Sequence, residues 1–209
     1  MVEAFMSIAN DQVHVVALSH DENFRPWQMT EAQHLSSAYQ SKTLPHALML
    51  TGPLGISKQH FAEQFSLFLL CSSPHAGRAC GRCKSCSLCL AGSHPDWTNI
   101  GPEEAHKAIR VDTIRSIQQR LQQTAQQGGN KVCIICPAEN MNENAANALL
   151  KVLEEPPANT YFLLVVHQVS KILPTILSRA QRVNFALPSA GSIVDWLKSD
   201  FNQVDIQQA

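Results

Sequence analysis

Long apolar runs are missing from this 209-residue sequence, and charge is scarce, with Asp, Glu, Lys and Arg together at 16%. The longest uninterrupted apolar stretches, such as Phe162 to Val166, fall far short of the roughly twenty residues of a membrane-spanning helix. Neither sign of charge dominates. Sixteen Lys and Arg stand against seventeen Asp and Glu, a formal net charge of −1. No global positive field therefore draws the molecule onto nucleic acid, and any such contact is local or shared with a partner. Met1 to Asn10 has neither a basic start nor a long apolar segment, which leaves no secretory signal. The expectation is a cytoplasmic protein with reduced thiols. Hydrophobic residues at 44% exclude a disordered chain, and the length sets the expectation of one full domain and part of a second.

Cysteine is what the sequence has in excess. Five of the seven cysteines, Cys71, Cys80, Cys83, Cys86 and Cys89, fall within nineteen positions. In a reducing compartment such a cluster reads as a metal site before a disulfide framework. Zinc takes four ligands in a tetrahedron, and Cys-x-x-Cys turns present two thiolates to one ion. If Cys80, Cys83, Cys86 and Cys89 were the set, two residues would separate the paired knuckles and leave little chain to wrap the far side of the ion. Cys71 supplies that second direction, so the expected ligands are Cys71, Cys80, Cys83 and Cys86, with Cys89 in reserve and His94 behind it. A closed four-thiolate site is structural rather than catalytic. Arg78, Arg82 and Lys84 flank the cluster, either as a local contact for DNA or protein or to offset thiolate charge. Cys133 and Cys136 read as small core residues.

Along the chain, residues 1–24 form a loosely specified leader with one apolar patch at Val13 to Leu18. Leu35, Ala38 and Tyr39 recur at helical spacing, and the apolar strand Ala47 to Leu50 runs into Thr51-Gly52-Pro53-Leu54-Gly55. Phe61, Phe65, Phe68 and Leu69 share one helical face directed at a sheet. A strand at Trp97 to Ile100 precedes a helix with Val111, Ile114, Ile117 and Leu121 inward. Asp112 is expected to cap that helix and Gly128-Gly129 to stop it. Val132 to Cys136 reads as a buried parallel strand ended by Pro137. Ala145, Leu149, Val152 and Leu153 mark a helix terminated by Pro156-Pro157, and Tyr161 to Val166 a further buried strand. Pro174 suits a first helical position, and Val183 to Phe185 a last strand. The glutamine-rich stretch Gln118 to Gln127 reads as a solvated helix face. Strand and helix alternate as in an α/β three-layer domain with a mostly parallel sheet over 25–188. Ile193, Trp196 and Leu197 suggest the first helix of a second domain over 189–209.

The turn after the first strand has the place and glycines of a nucleotide-phosphate loop, with Gly52, Gly55 and Lys58 available to touch phosphate. Two positions depart from that use. Ser57 replaces the glycine before the lysine, and Gln59 replaces the hydroxyl that would ligate Mg²⁺. Cys136 and Pro137 stand where a strand-end carboxylate belongs, and the nearest acid is Glu139. Weak nucleotide binding fits this loop; hydrolysis by the chain alone does not.

Leu48 to Lys58, the Cys71 to Cys86 module, Ser93-His94-Pro95-Asp96, the string Ala145 to Pro157 and Ile176-Leu177-Ser178-Arg179 together resemble the bacterial DNA polymerase III clamp-loader family of AAA+ proteins. The resemblance covers Pro26 to Pro188. It implies a P-loop NTPase-like domain with a five-stranded sheet, an inserted zinc module, a helical lid beginning in 189–209, and a C-terminal collar that this chain lacks, as in a piece of a longer subunit. Within the family, the broken loop and absent strand-end acids are similar to a subunit that does not hydrolyse ATP rather than to gamma/tau. The resemblance further implies a component of the DNA-directed DNA polymerase holoenzyme, a nucleotidyltransferase. Such a subunit contacts gamma/tau and delta, meets the sliding clamp indirectly, and meets primer-template DNA within the complex, with no membrane partner. In that family a Ser-Arg-Cys motif sends its arginine into the ATP site of the neighbouring gamma/tau subunit. Ser178 and Arg179 match it, while Ala180 departs from the cysteine. Two other readings stand beside this one: an ATP-hydrolysing gamma/tau-like subunit, and a zinc-dependent module that binds nucleic acid.

Overall fold

A computed structural model of the chain describes residues 24–102, 107–127 and 129–206, without the side chains of 199–206. Apart from Phe24, the expected leader and its apolar patch lie outside the described residues, as does Gly128. A 3-10 turn at Pro26–Gln28 leads into α1 (Met29–Gln40), followed by β1 (Ala47–Thr51) and α2 (Lys58–Leu70). Next come α3 (Lys84–Leu90), β2 (Trp97–Ile100), α4 (Val111–Gln122), β3 (Lys131–Ile135) and α5 (Glu143–Glu154). β4 (Thr160–Val166), α6 (Pro174–Leu177), β5 (Gln181–Asn184) and α7 (Ala190–Ile206) complete the order.

The five strands form one sheet in the order β2-β3-β4-β1-β5, and every pairing is parallel. Period-two side-chain alternation builds the layers. Leu48, Leu50, Val132, Ile134, Leu163 and Val165 face the α1–α2 side, where Phe61, Phe65 and Phe68 pack. Ala47, Met49, Cys133, Ile135, Phe162, Leu164 and Val166 face α4, α5 and α6 on the other side. Burying an apolar side chain of this size contributes roughly 1.5–3 kcal/mol, so both faces are needed to hold the strand ends that carry the loops.

Several elements differ from the sequence expectation, among them α3, which the sequence reading did not contain. Phe24 is a core residue, its ring 5.1 Å from that of Phe61. Helix α2 is buried nearly all round, including Lys58, Glu63, Gln64 and Ser66, because the cysteine module covers the flank left open by the sheet. Asp112 does not cap α4; Arg110 occupies that position, and Asp112 sits in the first turn, where its charge still suits the helix dipole. Helix α4 ends at Gln122, well before Gly128. The cause is Lys131, whose Nζ donates to the carbonyls of Leu121 and Gln123 and so caps the helix from β3. β5 begins at Gln181, two residues earlier than its apolar residues suggest.

Candidate functional site

The β1–α2 turn keeps the backbone of a phosphate loop. Ser57 has φ 63°, the left-handed conformation that favours glycine, so the loop shape survives the lost glycine. Gly52 has φ +148°, and a Cβ there would stand 2.4 Å from the Phe185 carbonyl oxygen. The cradle is held from within. Lys58 is buried, and its Nζ donates to the carbonyls of Gly52 at 2.7 Å and Pro53 at 2.5 Å. Burial holds this ammonium below its usual range, opposed by the charge of Glu139. From outside, Gln28 Nε2 donates to the carbonyls of Ile56 at 3.2 Å and Ser57 at 2.9 Å, and Trp27 Nε1 donates to Ile56 at 3.2 Å.

The positions that would handle magnesium and water are turned to structure. Gln59 Nε2 donates to Glu63 Oε1 at 3.0 Å, and Gln59 Oε1 accepts from the Cys136 thiol at 3.5 Å. Burial, aided by Glu63 and Glu139, pushes that thiol up to about 12, so it is neutral at physiological pH. Glu139 Oε1 accepts from the backbone N–H of His167 at 2.9 Å and of Gln168 at 3.1 Å. It ties the end of β3 to the end of β4.

The structure brings Cys71, Cys80, Cys83 and Cys86 together, their sulfurs all within 4.8 Å of one another. Cys71 ends α2, Cys83 caps the N-terminus of α3 with its sulfur accepting from the Cys86 N–H, and Cys86 lies in the first turn. Zn–S bonds of about 2.3 Å set sulfurs about 3.8 Å apart at tetrahedral corners. Cys71 to Cys83 is 3.9 Å and Cys83 to Cys86 is 3.5 Å. Burial raises the Cys71 thiol, and the N–H groups of Ser73 and Cys80, from which its sulfur accepts, oppose that rise in part. Burial raises Cys83, but hydrogen bonds from Ser72 and the Cys86 backbone outweigh it and bring the thiol to about 6. The four sulfurs therefore fit a metal ion. Cys89 stays outside, 1% exposed on the inner side of α3, and burial raises its thiol to about 12.

His94 is outside the cluster too. Its Nδ1 accepts from the Asp96 N–H at 3.1 Å, which leaves the proton on Nε2 to donate to Ser85 Oγ at 3.1 Å. Asp96 accepts from the backbone N–H groups of Gln126 and Gln127 at 2.8 and 2.9 Å. Ser93-His94-Pro95-Asp96 thus fastens the cysteine module to the sheet.

Arg179 follows α6 on the opposite face. Its Nη2 is 2.6 Å from Glu154 Oε1, with side-chain exposures of 35% and 49%. Nη1 donates to the Thr175 carbonyl at 2.9 Å and to Ser178 Oγ at 3.2 Å, and Ser178 Oγ donates to the Thr175 carbonyl at 3.0 Å. Ala180 is buried with Ile176 in the α5–α6 core, so the small side chain packs where the motif has cysteine. Gln28, Trp27 and Glu154 were invisible in the sequence as members of these sites, since each acts across 25 or more residues and carries no local motif.

An all-parallel five-stranded sheet with helices on both faces, a glycine loop between β1 and α2 and a cysteine module before β2 defines an AAA+ domain of the P-loop type. The chain resembles a DNA polymerase III gamma subunit-related protein of Thermotoga maritima at TM-score 0.57 and 25% identity, covering 76% of this chain and 46% of that one. A RuvB Holliday junction branch migration motor from the same organism shares the fold at TM-score 0.54 and 15% identity, over 93% of this chain and 56% of that one. Residues 27–189 match the family described as DNA polymerase III, delta subunit. DNA polymerase III subunit delta' of Pseudomonas aeruginosa is 49% identical over 172 residues, 82% of this chain and 52% of the relative. The Escherichia coli delta' subunit is 35% identical over 175 residues, 84% and 52%. The chain belongs to the DNA polymerase III delta-prime family. It spans about half the length of the curated relatives it matches. No helix among the described residues is long and apolar enough to cross a membrane.

Proposed function

We propose that the chain is the AAA+ part of a noncatalytic clamp-loader subunit that helps place the sliding clamp on primed DNA. In this reading Arg179 completes the ATP site of a neighbouring gamma/tau subunit. The observation that carries it is the pairing of a self-tethered loop with a half-exposed, pre-oriented arginine. Lys58 gives two of its three donors to the carbonyls of Gly52 and Pro53, and no hydroxyl or strand-end carboxylate takes the Mg²⁺-binding positions at Gln59 and Cys136. Arg179, in contrast, presents a fixed guanidinium at the surface, and such a group stabilises charge on a transferring phosphoryl when supplied in trans.

Cys71, Cys80, Cys83 and Cys86 would hold Zn²⁺, which supplies four metal–sulfur bonds that cross-link α2 to α3 and does no chemistry. Helix α7 would open the lid domain. Its Trp196 ring lies 5.7 Å from Trp27, with the Arg25 guanidinium 4.4 Å above it, so the lid would rest on the turn that also holds the loop. Delta, gamma/tau, the clamp and primer-template DNA would be met within the assembled ring, in keeping with a net charge of −1.

ATP turnover by the purified protein alone, set beside turnover by a complex reconstituted with gamma/tau and delta, tests this reading. The isolated protein should show none, and its addition should raise clamp-stimulated turnover of the complex. Turnover by the isolated protein, abolished by Lys58→Ala, would establish the gamma/tau-like reading instead.

A further inference from the structure

The ion pair between Arg179 and Glu154 joins two residues that no local motif links. Glu154 is the last residue of α5. The chain cannot continue the helix there, because Pro156 and Pro157 follow and the residue before a proline is driven out of the helical region; Glu155 accordingly has φ −126° and ψ 72°. Helix α6 is seated against α5 through Ile176, which is buried with Leu149 and Leu153. Both ends of the pair are thus fixed by backbone and core.

The guanidinium has five N–H donors in a rigid fork. Two on Nη1 meet the Thr175 carbonyl and Ser178 Oγ, and one on Nη2 meets Glu154 Oε1. Among the described residues nothing else meets the guanidinium, so Nε–H and the second Nη2 proton remain for an anion arriving from solvent. A free arginine side chain carries about 2 kcal/mol of rotamer entropy. A side chain already held in one rotamer loses less when it engages a phosphate. The half-exposed Glu154 carboxylate remains in water, so its charge is screened from a phosphate that binds the other edge.

We propose that Glu154 is a positioning residue: it orients Arg179 toward the γ-phosphate of a nucleotide bound by the adjacent subunit, while the free edge of the guanidinium does the electrostatic work. The proposal rests on the reading of Arg179 as a residue supplied in trans.

Clamp- and DNA-stimulated ATP turnover of the reconstituted complex is the assay, with Glu154→Ala, Glu154→Gln, Arg179→Ala and Glu154→Ala/Arg179→Ala compared. Glu154→Ala should lower kcat about three- to tenfold, the equivalent of freeing one long side chain, with little change in KM for ATP. Glu154→Gln keeps an oxygen acceptor of the same reach and should retain most of the activity, which a purely charge-based role would not allow. The double variant should match Arg179→Ala alone, whereas a merely structural role for Glu154 would add a further loss. Unchanged turnover in Glu154→Ala beside a loss in Arg179→Ala would overturn the positioning role alone. A rise in turnover for both Glu154 variants would overturn it as well, since the carboxylate would then be a restraint. Unchanged turnover in Arg179→Ala would remove the underlying reading of the arginine, and the positioning role with it.

Discussion

Replacing Gly52 and Gly55 separately by alanine distinguishes a glycine that exists for phosphate from one that exists for packing. At Gly52 the new Cβ would lie 2.4 Å from the Phe185 carbonyl oxygen and 3.0 Å from Ile56 Cδ1, on a backbone with φ +148°. The carbonyl cannot swing away cheaply, because the Phe185 N–H donates to the Thr51 carbonyl at 2.8 Å and the Phe185 ring packs 4.8 Å from Phe61. Strain in such a backbone region costs about 1–3 kcal/mol and overpacking about 1–3 kcal/mol more, so a loss of roughly 3–4 kcal/mol is expected. Gly55 has φ +88° and nothing within 4 Å of its Cβ position, which leaves the strain alone, about 1–2 kcal/mol. For a domain of this size each kcal/mol moves Tm by about 2–4 °C. Gly52→Ala should therefore melt about 6–16 °C below the parent and clearly below Gly55→Ala. Thermal unfolding followed by circular dichroism, at one fixed zinc concentration because bound metal shifts Tm, reads the difference. Melting of the two variants within about 2 °C of each other would refute the argument that Gly52 serves the β1–β5 contact.

The other expectations are narrower. Metal content of purified protein should fall in Cys83→Ser and stay at one ion per chain in Cys89→Ser, because Cys89 lies outside the four sulfurs that share a centre; loss of metal in Cys89→Ser would overturn that assignment. Asn142 Oδ1 accepts from the Ala145 N–H at 2.8 Å, so Asn142→Ala should cost about 1 kcal/mol of stability in urea unfolding, whereas a neutral result would mean that the cap is idle. Burial raises the Glu63 carboxyl above its ordinary 4.5, opposed by the Gln59 hydrogen bond. The folded state therefore favours the protonated form, and the penalty appears as pH rises from the unfolded value through the raised one. Glu63→Gln should be more stable than the parent at neutral pH and lose that advantage as pH falls below about 4.5; equal stability of the two proteins at pH 7 would contradict it.

Much of the sheet was legible because its strands are buried on both faces and so read as apolar runs, as at Ala47 to Leu50, Lys131 to Ile135 and Thr160 to Val166. β5 was blurred because it lies at the edge with Gln181, Arg182 and Asn184 exposed, leaving no pattern for periodicity to find. Helix α3 escaped notice for a different reason. Lys84 to Leu90 is short and has no apolar repeat; the thiol cap at its start and the sulfurs gathered around it define the helix. The spacing of the cysteines did carry the cluster, since Cys-x-x-Cys geometry is local. The tethers were not legible. Gln28 to Ser57 and Glu154 to Arg179 are single long-range contacts that depend on how α1, α5 and α6 pack. A lone Phe24 beside a polar leader gave no sign that it belongs to the core.

The central proposal is that this chain works on a nucleotide it does not itself hydrolyse. The most direct test is clamp- and primed-DNA-stimulated ATP turnover by a complex reconstituted with Arg179→Ala in an otherwise intact protein. The account predicts normal assembly and metal content with turnover lowered about tenfold or more; assembly with unaltered turnover would contradict it.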